Sequence, residues 1–257
     1  MVTFILAILA LVAGYFLYGR FVERVFGPDP NRLTPAVEKA DGVDFIVLPN
    51  WKIFMIQFLN IAGTGPIFGA IMGMWFGTSS YLWIVFGCIF AGAVHDYMSG
   101  MLSIRSGGAG LPEMVGRYLG LSVKRVMLVF SVLLLIMVGA VFVYSPAIIL
   151  KNIWGSETLW IVAIFVYYII ATMLPIDKVI GKLYPLFAFS LLFMAVALMI
   201  GLLVVHPQLP EIWEGLDNLG AEKFNRTAPI FPALFITIAC GAISGFHATQ
   251  SPLMARC

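Results

Sequence analysis

The chain has 257 residues, of which 61% are hydrophobic and 11% charged, with a mean hydropathy of +0.99 and a formal net charge of +2. Soluble domains carry about a quarter of charged residues, so this surface cannot face water throughout, and a soluble globular enzyme is excluded. No basic run offers a nucleic-acid surface, and the composition predicts an all-α, polytopic helix bundle with the lipid bilayer as its partner.

Residues 1–19 carry no charge and predict a first span over 2–19. No basic segment precedes it, and its apolar stretch exceeds a signal-peptide core, so it reads as a retained span. Residues 53–94 carry no charge either, far more than the roughly 20 residues one crossing needs. The run Gly77-Thr78-Ser79-Ser80 divides them into spans at 51–76 and 81–104. Gly110-Leu111-Pro112-Glu113-Met114 predicts the start of a short interfacial helix, with Glu113 facing the positive end of its dipole. Further spans follow at 124–150, 158–175, 182–205 and 229–254. Tyr144-Ser145-Pro146 is a kink candidate, and Pro175, Asp177 and Lys178 predict a turn. Seven spans result. Span one is accessory, residues 51–205 form a first five-helix repeat, and residues 229–257 open a second. The six tryptophans fall near span ends, as aromatic belts do.

Charge sets the orientation. Twelve of the fifteen Lys and Arg residues follow spans one, three, five and seven, and only Lys151, Lys223 and Arg226 lie on the other side. The positive-inside rule then places the N-terminus outside the cytoplasm.

Two spans are poor helices at mid-depth. Span two contains Gly63-Thr64-Gly65-Pro66, about 15 Å along from Ile53. Span seven contains Gly241, Ser244, Gly245, His247, Gln250, Ser251 and Pro252, with Gly241 about 16 Å along from Ile230. Non-helical backbone survives at that depth only against protein or a water-filled cavity. The two spans are five apart and so run in opposite directions. Paired, opposed interruptions are the signature of inverted repeats with a midplane binding site. Gly65, Gly69 and Gly73, at four-residue spacing, fit a helix-packing stripe equally well.

Ionisable residues at depth add to this. His95 and Asp96 lie within span three, and Asp96 is about 14 Å before Arg105. His95 shares a stripe with Gly87 and Ala91, and Asp96 shares one with Gly92 and Gly100, so both should face other helices. They read either as a proton or substrate relay or as a packing hydrogen bond. His247 is a further candidate proton carrier. Cys88, Cys240 and Cys257 show neither metal nor disulfide spacing and read as small packing residues. No cofactor or metal is predicted.

Together, Asp41-Gly42-Val43-Asp44-Phe45, Ile61-Ala62-Gly63-Thr64-Gly65-Pro66, Ala91-Gly92-Ala93-Val94-His95-Asp96 and Ala239–His247 resemble the carbon starvation protein (CstA) family along nearly the whole chain. The resemblance implies a bacterial or archaeal plasma-membrane carrier used in carbon starvation, which takes up peptides or pyruvate with protons. It also implies that a C-terminal half is missing here, since family members are longer. The expected fold is therefore an inverted-repeat, LeuT-like transporter lacking most of its second repeat, not an enzyme. Substrate would sit at Gly63, Thr64, Gly65, Pro66, Gly241, Ser244, Gly245, Gln250 and Ser251, with protons on His95, Asp96 and His247. The alternatives are a metalloenzyme built on those ionisable residues, and an inactive fragment or assembly subunit.

Overall fold

The computed structural model describes residues 1–173, 176–216 and 229–257, without the side chains of Thr64 and 176–183. Asp217, Glu222, Lys223 and Arg226 of the sparsely basic side, and Pro175 of the expected turn, lie outside the described residues. Every regular element among the described residues is helical.

Helix α1 (Val2–Phe26) runs seven residues past the predicted end of span one, because Arg20 to Phe26 are compatible with helix and Gly27 ends it in the left-handed region at φ 55°. A single turn, α2 (Pro35–Glu38), follows. Span two is two helices, α3 (Asn50–Ile61) and α4 (Thr64–Gly73), bent by 47° at Ala62 and Gly63. Pro66 sits in the first turn of α4, where its missing N–H costs no helical bond. Span three is α5 (Ser79–Arg105), whose residues Trp83–Gly92 are wound as π-helix, a feature absent from the sequence reading.

The short helix α6 (Leu111–Leu119) starts where expected, and the Gly110 N–H donates to the Glu113 carboxylate at 3.1 Å. Next come α7 (Leu121–Lys151), α8 (Glu157–Met173) and α9 (Ile176–Val205). Asp177 and Lys178, expected in a turn, are in the first turn of α9. Span seven has α10 (Phe235–Ala242) and α11 (Gly245–Gln250), interrupted at Ile243 and Ser244. Among the described residues, five helices are long and apolar enough to cross a membrane, and the bent α3–α4 pair is a sixth candidate. Helix α8, where a seventh was expected, has 17 residues, or about 25 Å.

The contacts fix relative directions. Methyl groups built on Gly14 and Gly92 would strike Ile89 and the Ala242 carbonyl. Along α5 and span seven, Gly92 meets Ala242, Asp96 meets His247, and Ser103 Oγ lies 2.7 Å from Pro252 O, so the two run parallel. Helix α4 runs antiparallel to α10, since Gly65 faces Cys240 while Gly73 faces Ile238. The predicted alternation of spans two, three and seven is reproduced.

The glycine stripe explains the closeness. Methyl groups on Gly65, Gly69 and Gly73 would lie 2.5 Å from Cys240 Sγ, 3.0 Å from Thr237 O and 2.9 Å from Ile238 Cδ1. Small residues let these backbones touch, as in other membrane bundles. Phe76, Leu234 and Ile238 form a buried cluster beside this contact. Trp75 and Trp83 pack against that cluster rather than standing free at a bilayer edge, with Trp83 4.8 Å from Phe235 ring to ring. Trp51, Trp154 and Trp213 are exposed.

Helix α7 passes through Pro146 without interruption. The proline has no N–H for the Phe142 carbonyl, and the Tyr168 hydroxyl of α8 donates to that oxygen instead, at 3.3 Å.

Candidate functional site

The α3–α4 and α10–α11 interruptions meet. A methyl group on Gly241 would lie 3.1 Å from Pro66 Cα, so the two breaks are in direct backbone contact. At the first, Gly63 is extended (φ −76°, ψ −167°) and opens α4. At the second, Ile243 (φ −135°, ψ 85°) ends α10, and the Ser244 hydroxyl caps α11 by accepting from the Phe246 N–H at 3.2 Å. A serine before a helix start supplies the acceptor that an orphan N–H needs.

Both breaks line one cavity of about 350 Å³, a size within the usual range of small-molecule sites. Gly63, Gly65, Pro66, Ser244 and His247 belong to its wall. Phe142 and Phe246 belong to its wall and pack on each other, with ring centroids 5.9 Å apart. Among the described residues, no lysine, arginine or carboxylate lines it, and His247 is its ionisable imidazole.

Behind His247 lies Asp96. The His247 ring is 3% exposed, and its Nδ1 stands 3.5 Å from Asp96 Oδ2. The other carboxylate oxygen, Oδ1, is 3.0 Å from His95 Nδ1. Asp96 thus bridges two imidazoles, one buried at the cavity wall and one 29% exposed. The stripe of Gly92, Asp96 and Gly100 faces span seven as expected, with Gly100 beside Ser251. Among the described residues, no group of three His, Cys, Asp or Glu side chains is arranged to hold a metal ion.

The remaining expected residues are placed differently. Gly241 packs against Pro66, and Gly245 against Leu134. The buried Ser251 hydroxyl accepts from Gln57 Nε2 at 2.7 Å and so joins α3 to the end of span seven. None of these three residues, nor Gln250, is in the cavity wall. Thr64 opens α4, and its side chain lies outside the described residues. Sequence reasoning did not single out Asn60, Phe142, Phe246 or Gln57, and it treated Cys240 as packing, although that residue also lines the cavity. A polar Asn60 one turn before a mid-depth break was a usable signal. The aromatic pair carried none, since nothing local distinguishes Phe142 from its lipid-facing neighbours.

Residues 1–153 and 143–252 match the family described as carbon starvation protein CstA. Among similar proteins is a Haemophilus influenzae protein named "Uncharacterized membrane protein", 44% identical over all of this chain and 82% of its own length. The Escherichia coli "Peptide transporter CstA" is 27% identical over 92% of this chain and 42% of its own length. The Escherichia coli "Pyruvate/proton symporter BtsT" is 27% identical over 93% and 42%. The chain thus spans less than half the length of these two transporters. No solved structure matches.

Proposed function

Since the chain belongs to the carbon starvation protein CstA family, we propose that it is the N-terminal portion of a secondary transporter that moves a small carboxylate nutrient, pyruvate or a short peptide, together with protons. The observation that carries this reading is the single cavity shared by two antiparallel broken helices. The N-terminus of α4 directs unpaired N–H groups and a partial positive charge toward the break, which suits a substrate carboxylate. Gly63, Thr64, Gly65, Pro66 and Ser244 form this polar rim, with Gly241, Gly245, Gln250 and Ser251 holding the second break in shape.

His247 reads substrate and proton together. It faces the cavity, while Asp96 and His95 continue the chain of ionisable groups away from it. A proton passed from Asp96 to His247 Nδ1 leaves Asp96 anionic and His247 cationic, and the imidazolium then neutralises a substrate carboxylate bound beside it in the low-dielectric interior. Seven spans, with the N-terminus outside and span seven opening an inverted second repeat, complete the topology. The antiparallel crossing of α4 and α10 supports it.

The test is uptake of labelled pyruvate and of short peptides into proteoliposomes by the complete carrier, with and without a pH gradient. Gradient-driven uptake of at least one is expected. No uptake of either under any gradient would overturn the reading.

A further inference from the structure

At the lysine- and arginine-rich end of the bundle, the Asp41–Phe45 segment is tightly wound. Asp41 Oδ1 accepts N–H bonds from Val43, Asp44 and Phe45 at 2.8, 2.9 and 2.9 Å. The N–H groups of Asp41 and Gly42 donate in turn to the Phe45 carbonyl at 3.2 and 3.3 Å. This winding holds the Phe45 ring beside two cations, Lys39 Nζ 5.6 Å and Arg256 Cζ 5.5 Å from its centre. Both cations are also anchored to the turn after α5: Lys39 donates to Gly107 O and Arg256 to Gly108 O, each at 2.8 Å. Gly108, at φ 83°, passes so close to Phe45 that a methyl group there would lie 2.9 Å from the ring.

The same segment holds the end of span seven. The Ile46 N–H donates to Arg256 O at 2.9 Å and the Leu48 N–H to Cys257 O at 3.3 Å, two residues before α3 begins. Three elements are therefore fastened at one point: the start of α3, the end of α5 and the end of span seven. They lead to the first break, to Asp96 and to the second break.

We propose that residues 39–48 are a latch that closes the basic end of the bundle over the substrate cavity, with Phe45 as the wedge that both cations clasp. The proposal rests on the transporter reading above, because a latch matters only if the cavity opens to that end. Separating α5 from span seven there pulls Arg256 from Gly108 and Lys39 from Gly107, and the Phe45 ring, which stays with both cations, leaves its seat against Gly108. The two hydrogen bonds broken in this way are ones that water can replace, and their net contribution is modest, so the latch opens reversibly.

Cys240, in the cavity wall, reports the opening. In the complete carrier with every other cysteine replaced, a membrane-impermeant maleimide is applied to sealed vesicles of each orientation. Phe45→Ala speeds Cys240 labelling from the basic end by about tenfold and does not speed it from the other end. Lys39→Gln, which leaves the Phe45 packing in place, gives a smaller change in the same direction. Unchanged labelling from the basic end in either folded variant would overturn the latch. Protection of Cys240 by pyruvate or a dipeptide is measured on the same vesicles. Absent protection with an intact Phe45→Ala effect would sink the substrate site and leave the latch standing.

Discussion

Two kinds of helix coexist in this chain. In α5 and span seven, 22% and 28% of the most apolar stretch is buried, against 6% in α1, α7 and Tyr184–Val205. The inner helices carry glycine, serine, histidine and aspartate. The outer ones present Leu, Val, Ile and Phe on nearly every side. Apolar side chains gain nothing by leaving lipid for one another, so tight contact in a bilayer needs small residues and hydrogen bonds. Interior status here is written in smallness and polarity, and hydrophobicity marks the outside.

Glycine substitutions break this contrast most sharply. Gly92→Ala drives a methyl group into the Ala242 carbonyl, and overpacking of this kind costs about 1–3 kcal/mol. Gly139→Ala, on α7 with nothing within 4 Å of the added carbon, is neutral or stabilising by up to about 1 kcal/mol through helix propensity. Melting of the detergent-solubilised proteins compares the two directly. Equal effects would mean that α5 and span seven are not in contact.

Asp96→Asn is next in size. It removes the charge that joins His95 to His247 and lowers the stimulation of uptake by a pH gradient by about tenfold, within the usual range of coupling energies. Substrate exchange without a gradient persists, because Asp96 does not line the cavity. Equal loss of both activities would make Asp96 a packing residue.

A smaller effect belongs to the outer layer. Tyr168→Phe leaves the Phe142 carbonyl beside Pro146 without its donor and lowers stability by about 0.6 kcal/mol, the average for such bonds in membrane bundles. Denaturant titration reads it.

The mildest prediction lies outside the spans. Glu211 accepts from the Met1 ammonium and, at 2.8 and 2.7 Å, from the Val2 and Thr3 N–H groups at the start of α1, which hold its carboxyl down at about 2. A lowered folded value means the stabilisation is complete above the ordinary value of 4.5 and is lost as pH falls toward about 2. Thermal melts of the parent chain should therefore decline across that window, and Glu211→Gln should flatten the decline.

Much of this was legible in the sequence. Charge-free windows located the long apolar helices because charges are costly in lipid. Glycine and proline at mid-depth located both breaks because neither residue sustains a helix interior. The spacing of Gly92, Asp96 and Gly100 gave the face that meets span seven. Span ends were less legible, as the longer α1 shows, because charge marks where lipid ends and not where a helix does. The π winding of Trp83–Gly92, the Gln57–Ser251 bond and the grip of Lys39 and Arg256 on Phe45 gave no local sign. Gln57 and Ser251 are 194 residues apart and Phe45 and Arg256 are 211 apart, and a one-dimensional pattern does not encode such pairs.

The account turns on the contact between α4 and α10. A cysteine introduced as Gly65→Cys would place its Cβ 3.6 Å from that of Cys240, inside the window for a disulfide. With Cys88 and Cys257 replaced by alanine, mild oxidation in the membrane should join residues 65 and 240 within one chain, detected by mass spectrometry after proteolysis. A reactive but unpaired residue 65, or a bond formed only between separate chains, would contradict the shared cavity and the mechanism built on it.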